Sequence, residues 1–449
     1  MDEVSLELGE WVLEHARHAG ASAAEVMMVS SESLGAAVRL GEVEKLKSSR
    51  ERRLGIRVFT GQSAATASTA ELERGSLERF IADTVELARL TAPDHFAGLP
   101  DPNLHPRTLP DLDLADRDHG IISAEQALKM AREAESVALK TDPRIKNSEG
   151  SEFDSGVYEL IFMNSQGFSG SYKGSTFSLS AVVIAEADGA MQRDYWYSAN
   201  RHFNQLETPE AIGRRAAQRT LRRLGAHKIK TTAAPVVFDP DMAAGLIRSL
   251  AGAASGTALY KRASFLLDRL GQQVTSPNAT IIDDGTIAGL LGSRPFDGEG
   301  LPTRRKALVE KGELATYLLD CYSARKLGLA PTGNASRGLS DAPGVSPHNL
   351  YLEPGPYTPE QIIGSVQNGL YVTELIGFGV NGVTGDYSRG ASGLWIENGE
   401  LTHPVEEITI AGNLKEMYMA IEMVGNDLVW RSSVAAPTIK ISEMTIAGS

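Results

Sequence analysis

Apolar residues at helical spacing open the chain, and a strand-like pattern follows them. Over residues 4–19, Leu6, Trp11 and their apolar neighbours fall on one face, which predicts an amphipathic helix. Residues 24–70 then alternate between apolar and polar positions with glycines between the runs, which predicts a meander of short strands. Helical spacing returns over residues 76–90. The first part of the chain is therefore predicted to pack helices on an antiparallel sheet.

A second segment repeats this combination of helices and strands. Ser123, with Gln126 three residues later, predicts a capped helix that runs to about residue 140. Strand-like runs follow over residues 157–197. Thr208-Pro209-Glu210 then predicts another helix, because threonine is a good N-cap and proline suits the first helical position.

From residue 229 onward the pattern is mostly that of strands. Asn398-Gly399 stands between two apolar runs, and this pair accepts the positive φ angles of a type I′ hairpin turn. Glu310-Lys311-Gly312-Glu313 marks a second turn between strands. Thr358-Pro359-Glu360 predicts a helix that ends near Asn368.

The predicted fold class is α+β. Two N-terminal modules combine antiparallel meanders with packed helices, and the C-terminal domain is strand-rich, of the barrel or sandwich type. Prolines and aspartates dominate the stretch between the two modules, which predicts a long surface connection. The predicted boundaries are 1–92 for the first module, 93–120 for the connection, 121–228 for the second module and 229–449 for the C-terminal domain.

Composition narrows the possible partners. The chain of 449 residues carries a formal charge of -13, which argues against a nucleic-acid surface because phosphate contacts need clustered Lys and Arg. A secretory signal and a membrane span are not expected, since the N-terminus is acidic and apolar runs are short. The lone Cys321 lies among apolar residues and is expected to be a buried small hydrophobe. A cytoplasmic protein without a membrane partner is therefore expected.

One predicted helix carries a concentration of arginines. Arg215, Arg219, Arg222 and Arg223 follow Pro209 at positions that are neighbours on a helix. Because aromatic residues do not alternate with them and the whole chain is acidic, we expect a solvated face or an intersubunit surface rather than a nucleic-acid groove.

Residues 377–393 form a glycine-rich segment between two predicted strands. Gly377-Phe378-Gly379-Val380-Asn381-Gly382 matches the spacing of a dinucleotide fingerprint, but a hairpin and not a helix is predicted to follow it, so no cofactor is expected. The segment could instead pair with an extended peptide, and a tight β connection that needs glycine is an equally good interpretation. The candidate peptide-binding residues are Gly379, Asn381, Thr384, Gly385, Asp386 and Ser388.

The histidines do not form a recognisable catalytic or metal motif. His15 and His18 lie three residues apart and could share a helical face, but such a pair is more often found on a surface than at a metal, so a surface role is expected. The G-x-S-x-G elbow of serine hydrolases does not occur in the sequence. No catalytic residue and no metal ligand is therefore predicted.

The most informative stretch is residues 235–254, where an apolar strand turns at Asp239-Pro240-Asp241 into a helix. This stretch resembles the TldD/PmbA family, whose TldD branch places a zinc-binding His-Glu-x-x-Gly-His hexad after such a turn. Here Arg248 and Ala253 replace the two histidines, Ser249 replaces the glutamate, and Gly252 remains. Arg248 could clamp a substrate carboxylate, but a surface charge is the favoured interpretation.

Further segments resemble the family in order and spacing over most of residues 230–449. They are Asp297-Gly298-Glu299-Gly300-Leu301-Pro302-Thr303-Arg304-Arg305-Lys306, Leu319–Gly328, Thr332–Ala335, Thr384–Ser388, Ile396–Glu400 and Ile410–Leu414. The TldD branch also has a zinc-binding cysteine near its C-terminus, and the matching residues 430–437 contain none. The chain therefore resembles the PmbA/TldE branch, which lacks the metal.

The resemblance implies a subunit without its own zinc that pairs with a TldD-type subunit. Together the two would form a peptidase for unfolded or modified peptides, with this chain binding substrate and helping to enclose the active site. The family has also been described as a modulator of DNA gyrase. Two alternatives stay open: a peptidase that works alone without metal, and a homodimeric peptide-binding or regulatory module. A homodimer is also expected when the partner is missing.

Overall fold

The structure, a computed structural model, describes residues 3–448, with side chains described from Leu6 onward. Its N-terminal half begins with helices and strands in a regular order. In chain order the elements are α1 (Glu3–His18), β1 (Ala23–Arg39), β2 (Glu42–Thr60), β3 (Ser63–Thr69), α2 (Arg74–Leu90), α3 (Ala124–Thr141), β4 (Ile145–Asn164), β5 (Ser169–Ala187), β6 (Ala190–Asn200) and α4 (Pro209–Leu221).

These strands form one antiparallel six-stranded sheet with the order β3-β2-β1-β4-β5-β6. The sequence predicted two separate meanders, and the structure joins them because β1 pairs with β4 along almost its whole length, from Glu25 opposite Asn164 to Val38 opposite Ser151. Each half of the sheet has the same element order, helix, three strands and helix. The predicted residue boundaries of the modules stay predictions.

The helices cover one face of this sheet. On β4, Phe153 packs with α3 and α4, whereas Ile161 packs with α1 and α2. Both positions are odd-numbered on one strand, so they point to the same side. Phe162 points to the opposite side of the sheet. There it forms a buried aromatic cluster with Phe168, from the turn between β4 and β5, and with Phe296 of the C-terminal domain. The sheet therefore lies between its helices and the C-terminal domain.

The C-terminal domain is built from many strands and short helices. In chain order the elements are β7 (Thr232–Phe238), α5 (Pro240–Ala253), α6 (Gly256–Tyr260), β8 (Ile281–Asp284), β9 (Arg305–Glu310), β10 (Glu313–Leu314), α7 (Cys321–Leu327), β11 (Ala335–Ser336), β12 (Gly344–Val345), β13 (Asn349–Leu352), α8 (Pro359–Gly364), β14 (Asn368–Ile376), β15 (Asp386–Glu397), β16 (Glu400–Asn413), α9 (Leu414–Met419), β17 (Ile421–Val424), β18 (Val434–Ala435) and β19 (Ile439–Ala447).

Five of these strands close into a barrel. The order β16-β15-β14-β7-β19 is completed by pairing between β16 and β19, while β17 extends the sheet beyond β19. A second sheet has the order β10-β9-β8-β13-β18. The α+β class and the barrel form of the C-terminal domain are thus confirmed.

Several local predictions hold, and others fail for identifiable reasons. Asn398 and Gly399 have φ of 52° and 79° in the turn between β15 and β16, as a type I′ hairpin requires. The meander of residues 24–70 contains three strands, not the shorter runs that were predicted. Gly55 does not interrupt β2; it lies where the carbonyl oxygen of Leu339 comes close, and a Cβ there would be 2.1 Å from that oxygen. The helix α8 ends at Gly364, earlier than predicted.

The Pro-rich connection runs mostly along the surface, but it is anchored at several points. Leu99, Leu112 and Leu114 are buried. The Tyr322 hydroxyl of the C-terminal domain donates to Asp94 at 2.7 Å. The Arg325 guanidinium donates to the carbonyl groups of Phe96, Gly98 and Leu99. The connection therefore binds the two halves of the chain together, a role that its polar composition did not indicate.

Candidate functional site

The strand, turn and helix singled out in the sequence form as predicted. The carboxylate of Asp239 accepts a hydrogen bond from the Met242 backbone N–H at 2.9 Å, and Pro240 occupies the first helical position, so the sequence starts α5 at this point. The hydroxyl of Tyr418 donates to the carbonyl of Leu246 at 2.8 Å and anchors the buried side of the helix. The first contact caps α5, and the second ties the helix to α9.

The three replaced positions of the zinc motif lie on different sides of α5. The side chain of Arg248 is exposed. The Ser249 hydroxyl donates to the carbonyl of Gly245 within the same helix at 3.0 Å. Ala253 is only 4% exposed and packs in the core of the C-terminal domain. None of these three side chains offers an imidazole ligand for a metal or a general base for a bound water.

A cavity of about 390 Å³ lies beside the first turn of α5, between the N-terminal sheet and the barrel. It is bordered by Asp239, Pro240 and Asp241 at the start of the helix, and by arginines from α4 on the opposite side. The remaining lining residues are Trp196, Gln218, Tyr371, Asp427, Val429 and Arg431.

The arginines of α4 do not form the solvated face that the sequence suggested. The side chains of Arg219 and Arg223 are each 13% exposed. Arg219 reaches Asp194 at 3.3 Å and Asp239 at 3.9 Å, while Arg223 reaches Glu374 of β14 at 2.6 Å. The prediction of a solvated face is therefore wrong for these residues, because their side chains pair with acids of β6, of β14 and of the turn before α5.

The segment matched to the zinc-binding cysteine of the TldD branch also lies at this place. Arg431 donates to the carboxylate of Asp241 at 2.9 Å, and its guanidinium lies 4.2 Å from the centre of the Trp196 ring. On another side of the same ring, Arg215 lies 4.4 Å from the centre. An arginine bound to the first turn of α5 thus occupies the region where the resemblance would place a metal ligand.

Burial shifts the titration of the groups around the cavity. Burial raises the pKa of Asp239 to about 7, although the hydrogen bond from Met242 opposes the shift. Burial alone would lower the pKa of Arg219, but the nearby carboxylates of Asp194 and Asp239 outweigh it and raise that pKa. Arg222 has a lowered pKa, because it is buried and lies near the charge of Arg219. Desolvation also raises the pKa of Tyr371.

Comparison with known proteins matches three family profiles along the chain. Residues 24–88 match the first domain of the PmbA/TldA metallopeptidases, residues 117–224 match their central domain, and residues 231–448 match their C-terminal domain. The chain belongs to the PmbA/TldD family.

Individual relatives agree with this assignment over nearly the full length. Metalloprotease PmbA of Escherichia coli O157:H7 is 41% identical over 95% of this chain and 92% of its own. The PmbA homologue of Haemophilus influenzae is 38% identical over 98% and 95%. A solved structure from Bacteroides thetaiotaomicron, described as a candidate modulator of DNA gyrase, superposes with a TM-score of 0.93 at 30% identity and covers 100% of this chain and 99% of its own.

The same family contains TldD proteins. A TldD homologue of Haemophilus influenzae is 27% identical over 73% of both chains. The family name implies a metal, but the residues at the position of the zinc motif do not fit one. Among residues 3–448, no group of three or more His, Cys, Asp or Glu side chains is placed to hold a metal ion. Over the described part of the chain, no helix is long and apolar enough to cross a membrane.

The glycine-rich segment of this PmbA/TldD protein connects β14 to β15 without a helix, so the context of a dinucleotide site is missing. Several of its backbone N–H groups are already bound within the loop. Asn381 donates to Asp386 at 2.8 Å, Gly385 to Asn381 at 2.8 Å and Ser388 to Gly379 at 2.7 Å. Thr384 donates through its hydroxyl to Asp386 at 2.6 Å. A peptide could add to this segment as a strand only if some of these bonds opened.

The loop nevertheless exposes apolar side chains. Ile376 is 58% exposed, Phe378 is 102% exposed and Val383 is 53% exposed. The carbonyl of Gly382 accepts from the Phe265 N–H at 3.1 Å, and the hydroxyl of Ser264 donates to the carbonyl of Ala253 at 2.6 Å. The loop therefore lies near the C-terminal end of α5, whereas the cavity lies at its N-terminal end.

Cys321 is the buried small hydrophobe that the sequence predicted. It is 3% exposed, and burial together with the neighbouring Glu299 carboxyl raises the pKa of its thiol, which keeps the thiol protonated. The Nδ1–H of His15 donates to the carbonyl of Trp11, 2.9 Å away, and the His15 ring stacks on that of Trp11, so this histidine is engaged within α1.

Sequence reasoning missed the cavity itself. Arg222, Tyr371, Trp196 and Arg431 come from four distant parts of the chain, and only the helical spacing of the arginines after Pro209 gave any indication of them. That spacing shows that they share a face of a helix. It does not show what the face packs against.

Proposed function

We propose that this chain is the subunit without zinc in a two-component peptidase, and that a TldD-type metallopeptidase supplies the catalytic metal. The observation that carries this proposal is the composition of α5. The helix has kept the capped start and the placement of a zinc helix, but Arg248, Ser249 and Ala253 stand where the ligands and the general base would be. A domain that preserves the frame and lacks the donors fits a partner better than an independent metallopeptidase.

In this proposal the chain binds peptide and helps to enclose the partner's active site in the cytoplasm. The exposed side of α5 offers little obstruction, since a Cβ at Gly245 or at Gly252 would meet nothing within 4 Å. An extended peptide therefore has room along this face, between the cavity at one end and the glycine-rich loop at the other. The loop residues Gly379, Asn381, Thr384, Gly385, Asp386 and Ser388 stay part of the proposed binding region.

We assign the exposed apolar tip of the loop to contact with the partner or the peptide. Phe378 is fully exposed, and large exposed apolar side chains that stand together mark interaction sites. Phe378→Ser should leave the stability of the isolated chain unchanged while it weakens co-purification with the TldD-type subunit. Leu90→Ser is the matched control, because Leu90 is 78% exposed on α2, in the N-terminal half.

The test is co-expression with the TldD-type protein of the same genome, followed by peptide cleavage with and without each subunit. The proposal predicts a stable complex, cleavage by the complex and none by this chain alone. Cleavage by the purified chain in the presence of a chelator would instead support a metal-independent peptidase. A homodimer that binds peptide, ignores the TldD-type protein and leaves peptides intact would support a regulatory module.

A further inference from the structure

Three of the four arginines that line the cavity beside α5 have an acidic partner. Arg431 pairs with Asp241, Arg219 with Asp194 and Asp239, and Arg215 lies 3.9 Å from Glu207. The fourth arginine of the cavity lining, Arg222, has two buried nitrogens, Nε and Nη2, without a hydrogen-bond partner in the described residues. A guanidinium in such a place is costly unless something supplies a carboxylate or another acceptor.

The acidic side chains that line the cavity already have other partners and do not form an ion pair with Arg222. Asp427 accepts from the Thr438 N–H at 2.9 Å and from its hydroxyl at 2.7 Å. Asp241 is occupied by Arg431. Asp239 caps α5, and its raised pKa of about 7 leaves a substantial neutral fraction near pH 7. An incoming anion therefore meets one unpaired cation, while the nearby carboxylates of Asp241 and Asp427 favour a ligand with a single charge over one with two charges.

The shape and chemistry of the cavity favour a small group with a single negative charge. A volume of about 390 Å³ accommodates the end of a peptide but not a folded segment. Arg222 offers donors in a fork that suits a carboxylate, and the ring of Tyr371 and the indole of Trp196 give the cavity apolar walls. A doubly charged phosphate would find Asp241 and Asp427 close by, which disfavours it.

We propose that this cavity binds the C-terminal carboxylate of the peptide, with Arg222 as its principal partner. The proposal rests on the proposed function, because it takes the substrate to be a peptide held along α5. The cavity borders Asp241, and Arg248 lies two turns further, about 10 Å along the helix. A peptide anchored by its C-terminus would therefore extend along the exposed face of α5 toward the glycine-rich loop.

The test is calorimetric titration of the full chain alone with an N-acetylated peptide of glycine, alanine and serine. One form of the peptide has a free C-terminal carboxylate, a second has a C-terminal amide, and a third is the amide with one internal aspartate. The wild-type chain should bind the free carboxylate roughly tenfold or more tightly than either amide, since a hydrogen-bonded charge pair has about this effect. Equal binding of the carboxylate and the plain amide would overturn the proposal. So would binding of the aspartate peptide as tightly as the free carboxylate.

Arg222→Gln should abolish the preference for the free carboxylate. The control is Arg214→Gln on the same helix, because Arg214 is 59% exposed and pairs only with Glu210; it should keep the preference. Thermal melting of each variant runs beside the titration, and Arg222→Gln should melt no lower than wild type, since it removes an unpaired buried charge. If it fails to fold, Arg222→Met replaces it, because methionine keeps much of the side-chain volume without a charge or a donor, and it should likewise abolish the preference. A preference that survives in the folded cavity variant overturns the proposal.

Binding is measured without the TldD-type subunit. Its failure therefore leaves the partner proposal standing, and failure of co-purification leaves the carboxylate site standing.

Discussion

Glu25 is the residue whose replacement should most strongly loosen the two halves of the chain from each other. Its side chain is fully buried on β1 and lies between two arginines, Arg57 of β2 at 3.5 Å and Arg337 of the C-terminal domain at a shorter distance. The side chains of these arginines are 8% and 3% exposed. Glu25→Gln keeps the shape and leaves two buried cations without a counterion.

The expected loss follows from this burial. Removing one partner of a buried ion pair costs about 3–5 kcal/mol, because the remaining charge stays desolvated. Each arginine keeps an aromatic neighbour, Phe59 at 4.7 Å from Arg57 and Phe162 at 5.3 Å from Arg337. Such contacts retain part of the stabilisation, so we expect about 3 kcal/mol.

Urea unfolding followed by circular dichroism and by tryptophan fluorescence measures this loss. Because a chain of this length can unfold in stages, the midpoint of each transition is recorded separately. Hydrogen exchange at Phe162 and Phe296, in the cluster between the halves, should rise in the variant. The control is Glu152→Gln, whose partner Lys45 lies 2.8 Å away on the exposed surface, with an expected loss of about 0–1 kcal/mol. A loss below about 1 kcal/mol for Glu25→Gln would refute the reasoning.

Two further substitutions test other parts of the account. Asp239→Asn keeps an N-cap and removes an acid whose folded pKa of about 7 lies above its ordinary 3.8, a difference that represents about 4 kcal/mol at most. The proton on Asp239 stabilises the wild type fully below about pH 4, and this stabilisation is lost as the pH rises through about 7. The variant should therefore gain about 1–3 kcal/mol in free energy of unfolding over wild type across this range, as measured by urea unfolding. A difference that does not change with pH would contradict the assignment. Gly55→Ala should lower the free energy of unfolding by about 1–3 kcal/mol, because the added Cβ would lie 2.1 Å from the Leu339 carbonyl oxygen. The control is Gly75→Ala on α2, where a Cβ meets nothing within 4 Å. It should raise the free energy of unfolding by up to about 1 kcal/mol in the same assay. Equal effects at the two glycines would show that the approach of Leu339 is not limiting.

Local chemistry explains what the sequence could predict. The start of α5 at Asp239 and the hairpin turn at Asn398 depend on a few neighbouring residues, and both form as expected. The residues from which we infer that this chain lacks the zinc motif, Arg248, Ser249 and Ala253, can likewise be read from the sequence itself. Such features need no knowledge of distant contacts.

Long-range packing explains what the sequence could not predict. The pairing of β1 with β4 joins strands more than a hundred residues apart, and periodicity within each strand does not specify its partner. The arginines on and just after α4 had the expected spacing, but only the tertiary structure brings Arg223 to within 2.6 Å of Glu374 on β14. The isolation of Arg222 is a property of the assembled cavity, because it depends on which acids the other arginines have already paired with.

The central claim is that hydrolysis by the complex takes place on the partner's metal and not on this chain. The most direct measurement is peptide cleavage by a purified complex in which the glutamate of the TldD-type zinc motif is replaced by glutamine, while this chain is left intact. The account predicts that cleavage is abolished, although the complex still assembles and still binds peptide. It also predicts that a complex with intact partner and Ser249→Ala in this chain cleaves at the normal rate. Chelator-sensitive cleavage that persists after the partner's glutamate is replaced would contradict it.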